Sequence, residues 1–217
     1  MDASTPASTS GAGTDPDPSG TSPPGARLLV LSGEVASGKS TVARALARWL
    51  DATRVEADEV RRLLREQDAR DGLDDPLRHF DPATEERVYA ELLREAERLL
   101  WSGRSVVLDA GFPTRSSRAA ARGLARAHGL GFLLVECRVD PAVAHSRLEE
   151  RDRECGDSGW SELHALFARH FEPVTELAEA EHLVVDAARP VDEIVAAVGA
   201  RLEAAGPAGG AAEQAPT

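Results

Sequence analysis

Lysine occurs once in the 217 residues, at position 39, and asparagine does not occur at all; every other basic side chain among the 25 is arginine. Without asparagine the chain cannot carry an N-K-x-D segment, so a guanine-reading switch is excluded. Cysteine is nearly as scarce. Cys137 and Cys155 make neither a disulfide framework nor a metal pattern, and Cys137, inside an apolar run, reads as a small buried hydrophobe. Aromatic residues are 4% of the chain, and Trp49, Trp101 and Trp160 are too scattered to form a base-stacking platform. Positive charge is outweighed: a formal net charge of −12 argues against a protein that grips nucleic-acid backbone. No apolar run approaches the ~18 residues of a membrane span, and the N-terminus has no cationic, hydrophobic leader. The expectation is a cytoplasmic chain with no membrane partner and no nucleic-acid partner. Six histidines show no metal-ligand spacing among themselves or with cysteine and read as structural or surface residues.

The single lysine lies in Gly33-Glu34-Val35-Ala36-Ser37-Gly38-Lys39-Ser40, an ungapped G-x-x-x-x-G-K-[ST]. The apolar run Leu28-Leu29-Val30-Leu31 precedes it, and the helical pattern from Thr41 to Leu50 follows. That order, strand then glycine loop then helix, is what a phosphate cradle needs. Gly33 and Gly38 open backbone angles closed to other residues, so successive N–H groups can face an anion, and the helix dipole adds to them. Lys39 would reach β- and γ-phosphates as a compact point charge, and the Ser40 hydroxyl would bear on Mg²⁺.

Around this loop the chain alternates. Residues 1–25 and 204–217 are small, polar and proline-rich, and are expected to be disordered tails flanking a domain at 26–203. Strands are expected at 53–57, 105–108, 131–137 and 182–186, besides the first. Helices are expected at 59–66, 83–101, 114–128, 141–151, 161–171 and 191–203, with Val88, Leu92, Ala96 and Leu99 marking the buried stripe of the second. Residues 67–82 read as an irregular loop, and the charged, glycine-punctuated stretch within 147–160 as a mobile lid. The fold class is α/β, a five-stranded parallel sheet with helices on both faces.

Ligands of such sheets sit beyond the carboxyl ends of the strands. Asp58 leaves the second strand three residues before Arg61, so a carboxylate and a guanidinium share one helix face. Two readings remain open: Asp58 as a base toward a hydroxyl with Arg61 orienting the acceptor, or Asp58 as an ordinary N-cap. Asp109 ends the third strand, where a carboxylate beside a phosphate loop can hold Mg²⁺ through water, or cap a turn. Arg147 and Arg151, one turn apart, and Arg153 beyond them could cover transferring phosphoryl oxygens or pair with Glu149, Glu150, Asp152 and Glu154. Arg115 and Arg118 could line the site, or lie on a solvated helix face.

Taken together, these motifs resemble the small P-loop kinases over about residues 26–203. The branch in question holds small-molecule kinases, chloramphenicol phosphotransferase, zeta toxins and polynucleotide kinase domains. The resemblance rests on Gly33–Ser40, on Asp58 and Arg61 as D-x-x-R, on Val106–Ala110, on Arg147-Leu148-Glu149-Glu150-Arg151, and on Val185–Ile194. It implies ATP and Mg²⁺ as cofactors, residues 33–41 and Arg147 on the nucleotide, and Ser40 and Asp109 on the metal. It also implies Lys39, Asp58 and Arg151 in catalysis, with Asp58, Arg61 and Arg115 on the acceptor, a hydroxyl of a small molecule. Residues 67–82, where acceptor contacts would fall, match no particular substrate class. A polynucleotide 5′-hydroxyl kinase shares the motifs but not the acidic balance, and a plain ATP-binding module is the remaining alternative. Glutamate after Asp109 would suit a motor ATPase; Ala110 stands there.

Overall fold

The computed structural model describes residues 26–72, 81–155 and 170–204, without the side chains of residues 151, 154 and 155. The expected tails therefore lie outside the described residues, except Ala204, which is helical.

Five strands, β1 (Leu28–Ser32), β2 (Thr53–Glu56), β3 (Val106–Asp109), β4 (Phe132–Arg138) and β5 (His182–Asp186), form one parallel sheet in the order β2-β3-β1-β4-β5. In β1 every residue is buried, as a strand covered on both faces requires. Its alternating side chains feed two cores. Leu28 and Val30 join Val55, Val106, Leu108 and Leu134 on one face; Leu29 and Leu31 join Val107, Leu133 and Val135 on the other. Helix α1 (Lys39–Trp49) covers the second face with Val42, Ala43, Leu46 and Ala47, and α6 (Val191–Ala204) adds Ile194 and Val198. Over the first face lie α2 (Ala57–Arg70), α3 (Pro82–Trp101) and α4 (Arg115–Ala127). The α3 stripe is Val88, Leu92, Ala96 and Leu99, spaced for one helical face; Leu92 is fully buried, which stabilises by about 1.5–3 kcal/mol. Asp81 caps α3 by accepting from Thr84 N–H at 2.7 Å, with Pro82 in the first turn, and Gly103, at φ 79°, ends it. Helix α5 (Pro141–Cys155) follows β4 and buries Ala144 and Leu148.

Three expectations change. Helix α2 continues four residues past Glu66, because Arg62 bridges Glu59 and Glu66 along it and Asp68 holds Arg87 of α3 at 2.9 and 3.0 Å. Only 73–80 of the expected loop lies outside the described residues. The backbone of 151–155, assigned to the lid, is the last turn of α5; residues 156–160 of the lid, and 161–169 of the helix expected after it, are not described. His170 and Phe171, at that helix's expected end, are not helical.

Arg118 is the third. It is neither solvated nor facing a ligand, but fully buried. The buried row of α4 is Arg118, Ala121 and Ala125, so the helix turns the arginine inward, where its polar head must find partners. Its Nη1 donates to the carbonyls of Phe112, Pro113 and Glu172 at 3.1–3.2 Å, and Nε donates to Glu176 Oε1 at 2.6 Å. The residue thus ties the turn after β3 to the segment at 172–176. The same hydrogen bond holds the Glu176 carboxyl at about 2, below its ordinary 4.5. A carboxyl depressed on folding stabilises fully above its unfolded value and loses that contribution as pH falls toward the folded one. Arg118→Met is therefore expected to cost about 3 kcal/mol at pH 7 by leaving buried acceptors unpaired. It should also flatten the loss of stability that the native protein shows between pH 4.5 and about 2. Urea denaturation across that pH range checks both.

Candidate active site

At the carboxyl end of the sheet, β1 runs between β3 and β4, and the loop 33–38 emerges where the neighbouring chains diverge. Gly33 N–H donates to Gly111 O at 3.1 Å, and Ser32 Oγ donates to the same carbonyl at 3.0 Å. Gly33 has φ 140°, and a Cβ there would stand 2.4 Å from Cys137 O and 2.9 Å from Ser37 Oγ. Gly38, at φ 91°, is the left-handed residue from which α1 starts. These glycines let the loop curl on itself and present its amides and the start of α1 to one cleft. Cys137, beside it, is buried, and burial pushes its thiol up to about 12, so it is no nucleophile.

Lys39 folds back over the loop, donating from Nζ to Glu34 O at 2.6 Å and to Ser37 Oγ at 3.4 Å. Ser40 Oγ, in the first turn of α1, donates to Asp109 Oδ1 at 3.3 Å. The other carboxylate oxygen of Asp109 receives Arg54 Nη1 at 2.7 Å, and Arg54 Nη2 lies 2.6 Å from Glu56 Oε2. Parallel pairing sets Glu56 directly beside Asp109. Burial raises the pKa of Glu56, Arg54 opposes this, and the charges of Asp109 and Asp58 raise it further.

Across the cleft, Asp58 lies in the first turn of α2. The N-cap is Glu56, without a side-chain capping bond, so Asp58 does not cap the helix. Its side chain is 76% exposed, whereas that of its partner Arg61 is 10% exposed. Arg61 donates Nη1 to Asp58 at 2.5 Å and Nε and Nη2 to Glu85 Oε1 at 3.1 and 2.8 Å. Glu85 therefore anchors the guanidinium that aims Asp58. Tyr89, one turn on, accepts from Phe112 N–H at 2.9 Å and packs edge-on to the Phe112 ring, 5.2 Å away. It braces the turn where Phe112 holds φ 45°, an angle non-glycine residues avoid. Burial pushes its phenol well above the ordinary value.

Lys39, Ser40, Asp58, Arg61 and Asp109 thus share one cleft, of about 200 Å³. Behind the loop lies a second, of about 370 Å³, lined by Arg147, Ala187, Arg189 and Ile194. Both clefts touch Ala36, Gly38 and Thr41, so the loop is the wall between them. Glu34 and Val35 line only the first, and Ser37 is buried within the loop. Arg147 reaches the loop, donating to Ala36 O at 3.1 Å. The side chain of Arg151 lies outside the described residues, and Arg153 is exposed on α5. Arg115 is not part of the cleft lining: its N–H is held by Glu172 at 2.5 Å and its Nη2 by Thr175 at 3.1 Å, because α4 begins facing the 172–176 segment. His128 packs against Trp101, and His182 bonds Glu136 at 2.7 Å; both are structural. Arg54, Glu56, Glu85 and Tyr89 escape sequence reasoning. The alternation of Arg54 and Glu56 on β2 hints at one face, but only the register places that face beside Asp109.

The residues fit a phosphate-bridged Mg²⁺. Such an ion takes one or two protein oxygens and keeps waters, and Ser40 with Asp109 offers that donor set. Among the described residues no cluster of three or more His, Cys, Asp or Glu side chains makes an all-protein metal site. No described helix is long and apolar enough to cross a membrane.

The chain belongs to the AAA_33 family of AAA domains, whose model matches residues 28–174. Over 147 residues, 66% of the chain, it is 35% identical to the uncharacterized protein Rv2004c of Mycobacterium tuberculosis. It spans only 29% of the length of that relative. In fold it is similar to a sugar kinase from Janibacter sp. (TM-score 0.61, 16% identity, 82% of this chain and 95% of that one). It is also similar to the APS kinase CysC of M. tuberculosis in complex with AMPPNP and APS (TM-score 0.57, 24% identity, 83% and 99%). The architecture is therefore that of the P-loop kinases.

The close approach at Gly33 has a measurable consequence. Gly33→Ala is expected to destabilise the protein by about 1–3 kcal/mol, since the added methyl meets a backbone oxygen. Gly123→Ala, in α4 with open space around it, should instead stabilise by about 0.4–1 kcal/mol. Chemical denaturation of the two variants in parallel separates steric from general glycine effects.

Proposed function

We propose that this AAA-family chain is a phosphotransferase that moves the γ-phosphoryl group of ATP to a hydroxyl of a small-molecule acceptor. The observation that carries the reading is Asp58: a carboxylate that caps nothing, stands in water at the mouth of the phosphate-loop cleft, and is aimed by a buried, doubly anchored arginine.

The loop amides of 33–38 and the start of α1 bind the phosphates, and Lys39 exchanges Glu34 O for phosphate oxygens. Ser40 and Asp109 would hold Mg²⁺, which when bound offsets charge on the β- and γ-phosphates. Arg54 fixes the Asp109 carboxylate, leaving the edge toward Ser40 for that duty. Arg61 orients Asp58, which takes the proton of the acceptor hydroxyl as the new oxygen–phosphorus bond forms and the bond to ADP breaks. Arg147 steadies the loop from the second cleft, where the base of ATP would lie; Arg151, one turn further along α5, is the preferred candidate for covering the transferring oxygens.

The test pairs calorimetry with MgATP against single-turnover transfer, after an ADP-release screen over sugars, antibiotics, nucleosides and 5′-hydroxyl oligonucleotides. Lys39→Ala should abolish turnover and ATP binding without unfolding the protein. Asp109→Asn should weaken the Mg²⁺-dependent part of binding. Asp58→Asn should keep ATP affinity yet slow transfer by about 10²–10⁴-fold, the usual worth of general-base help. Transfer at the native rate by Asp58→Asn would refute the assigned mechanism.

A further inference from the structure

Helix α3 brings two side chains to the first cleft whose hydrogen-bonding capacity is only partly taken up. Glu85 and Tyr89 are i and i+4, so they stand one above the other on one helix face, and both line the cleft beside Asp58 and Arg61. Glu85 receives both of its bonds from Arg61 on a single oxygen, Oε1. No described residue donates to its Oε2. Tyr89 is used in the opposite sense. Its oxygen accepts the Phe112 N–H at 2.9 Å, and with that lone pair occupied the O–H has to point elsewhere. Among the described residues, nothing accepts it.

The position of this hydroxyl is well defined. A Cβ on Gly111 would lie 3.6 Å from the Tyr89 hydroxyl and 3.6 Å from Gly33 O. The hydroxyl therefore sits against the turn after β3, where the phosphate loop begins, and not on the outer surface of α3. Burial pushes the phenol well above its ordinary value, so it keeps its proton and serves as a donor, not as a base. A donor and an acceptor without partners, side by side on one cleft wall, suit a particular small group. A hydroxyl accepts with its oxygen and donates its proton, so it can bond to Tyr89 and Glu85 together. An ammonium serves only Glu85, and a carboxylate only Tyr89. Pro113 and Phe171 add apolar surface to the same cleft, against which a carbon skeleton can lie.

Resting on the phosphotransferase reading above, we propose that Tyr89 and Glu85 bind a second hydroxyl of the acceptor, which is therefore a polyol. One hydroxyl goes to Asp58, and another is held between Tyr89 Oη and Glu85 Oε2. The brace that Tyr89 gives to Phe112 N–H is a separate duty. Arg118 holds the same turn through the carbonyls of Phe112 and Pro113, so the turn keeps its place when the phenol oxygen is removed.

Tyr89 is the only tyrosine in the chain, so protein grown on 3-fluorotyrosine carries a single fluorine, at the group in question. The full chain is given MgADP with glycerol or propanol, myo-inositol or cyclohexanol, and glucose; turnover of the same compounds is measured with MgATP. A polyol should move the fluorine resonance beyond its position with MgADP alone, and the mono-alcohols should not. Within a pair, kcat/KM should favour the polyol. Tyr89→Phe should raise the polyol KM by about 3–10-fold, the worth of one hydrogen bond, with the KM for ATP unchanged. The polyol's lead over its mono-alcohol should shrink by the same factor. A purely structural role would lower both members of a pair alike and leave their ratio intact. If Tyr89→Phe does not fold, the fluorine readout on the native sequence decides. A mono-alcohol that matches its polyol overturns the inference. So does a polyol preference that survives Tyr89→Phe, or a resonance that no polyol moves. Phosphorylation of the panel without a response at Tyr89 removes this inference and leaves the phosphotransferase reading standing; a polyol that moves the resonance yet is never phosphorylated does the reverse.

Discussion

The structure depends on the approach of the Gly33 backbone to two neighbouring strands at once. Its N–H is fixed by Gly111 O beyond β3, and its Cα lies so near Cys137 O of β4 that no side chain fits. Because β1 is the central strand, this one residue docks the loop onto the carboxyl ends of both flanking strands. Everything that makes the cleft follows from that seat. The loop can then turn back at Gly38, α1 can start with its amides inward, and Asp109, paired in register with Leu31, comes within reach of Ser40. The braces are redundant. Tyr89 holds the turn after β3 through Phe112 N–H, and Arg118 holds it from beneath through two of its carbonyls.

A second organising feature is the split between buried cations and an exposed carboxylate. Arg54 and Arg61 are largely buried and each bridges two acids, whereas Asp58 is the exposed member of its pair. Burying the guanidinium and exposing the carboxylate fixes the direction of Asp58 without desolvating it.

Where pattern and burial coincide, the fold could be read directly. Strands such as Leu28–Leu31 are apolar on both faces, and α3 repeats Val88, Leu92, Ala96 and Leu99 at helical spacing, so their type and place were legible. The phosphate loop was legible because its chemistry is local: the glycines, Lys39 and Ser40 act within eight residues. Helix ends were less so, since the extension of α2 to Arg70 is supported by Arg87 from another helix. Long-range partners left no trace. Nothing near Glu85 in sequence points to Arg61, and nothing near Arg54 points to Asp109, because each pairing is created by the sheet order and helix packing. Arg118 was misread for the related reason that an arginine among alanines suggests solvent. Only the convergence of the carbonyls of 112, 113 and 172 makes a buried one tolerable.

Lys39 already has partners within its own loop, with Nζ on Glu34 O and Ser37 Oγ. An ammonium satisfied in this way is a resident counter-charge to the loop's own acceptors. An anion binding at this loop would exchange acceptors on Lys39 rather than meet a bare ammonium. The affinity gained is the difference between a phosphate oxygen and a peptide carbonyl, not the whole strength of a charged hydrogen bond. A charged oxygen at this loop would replace a neutral acceptor, gaining what a charge-assisted hydrogen bond adds to an ordinary one.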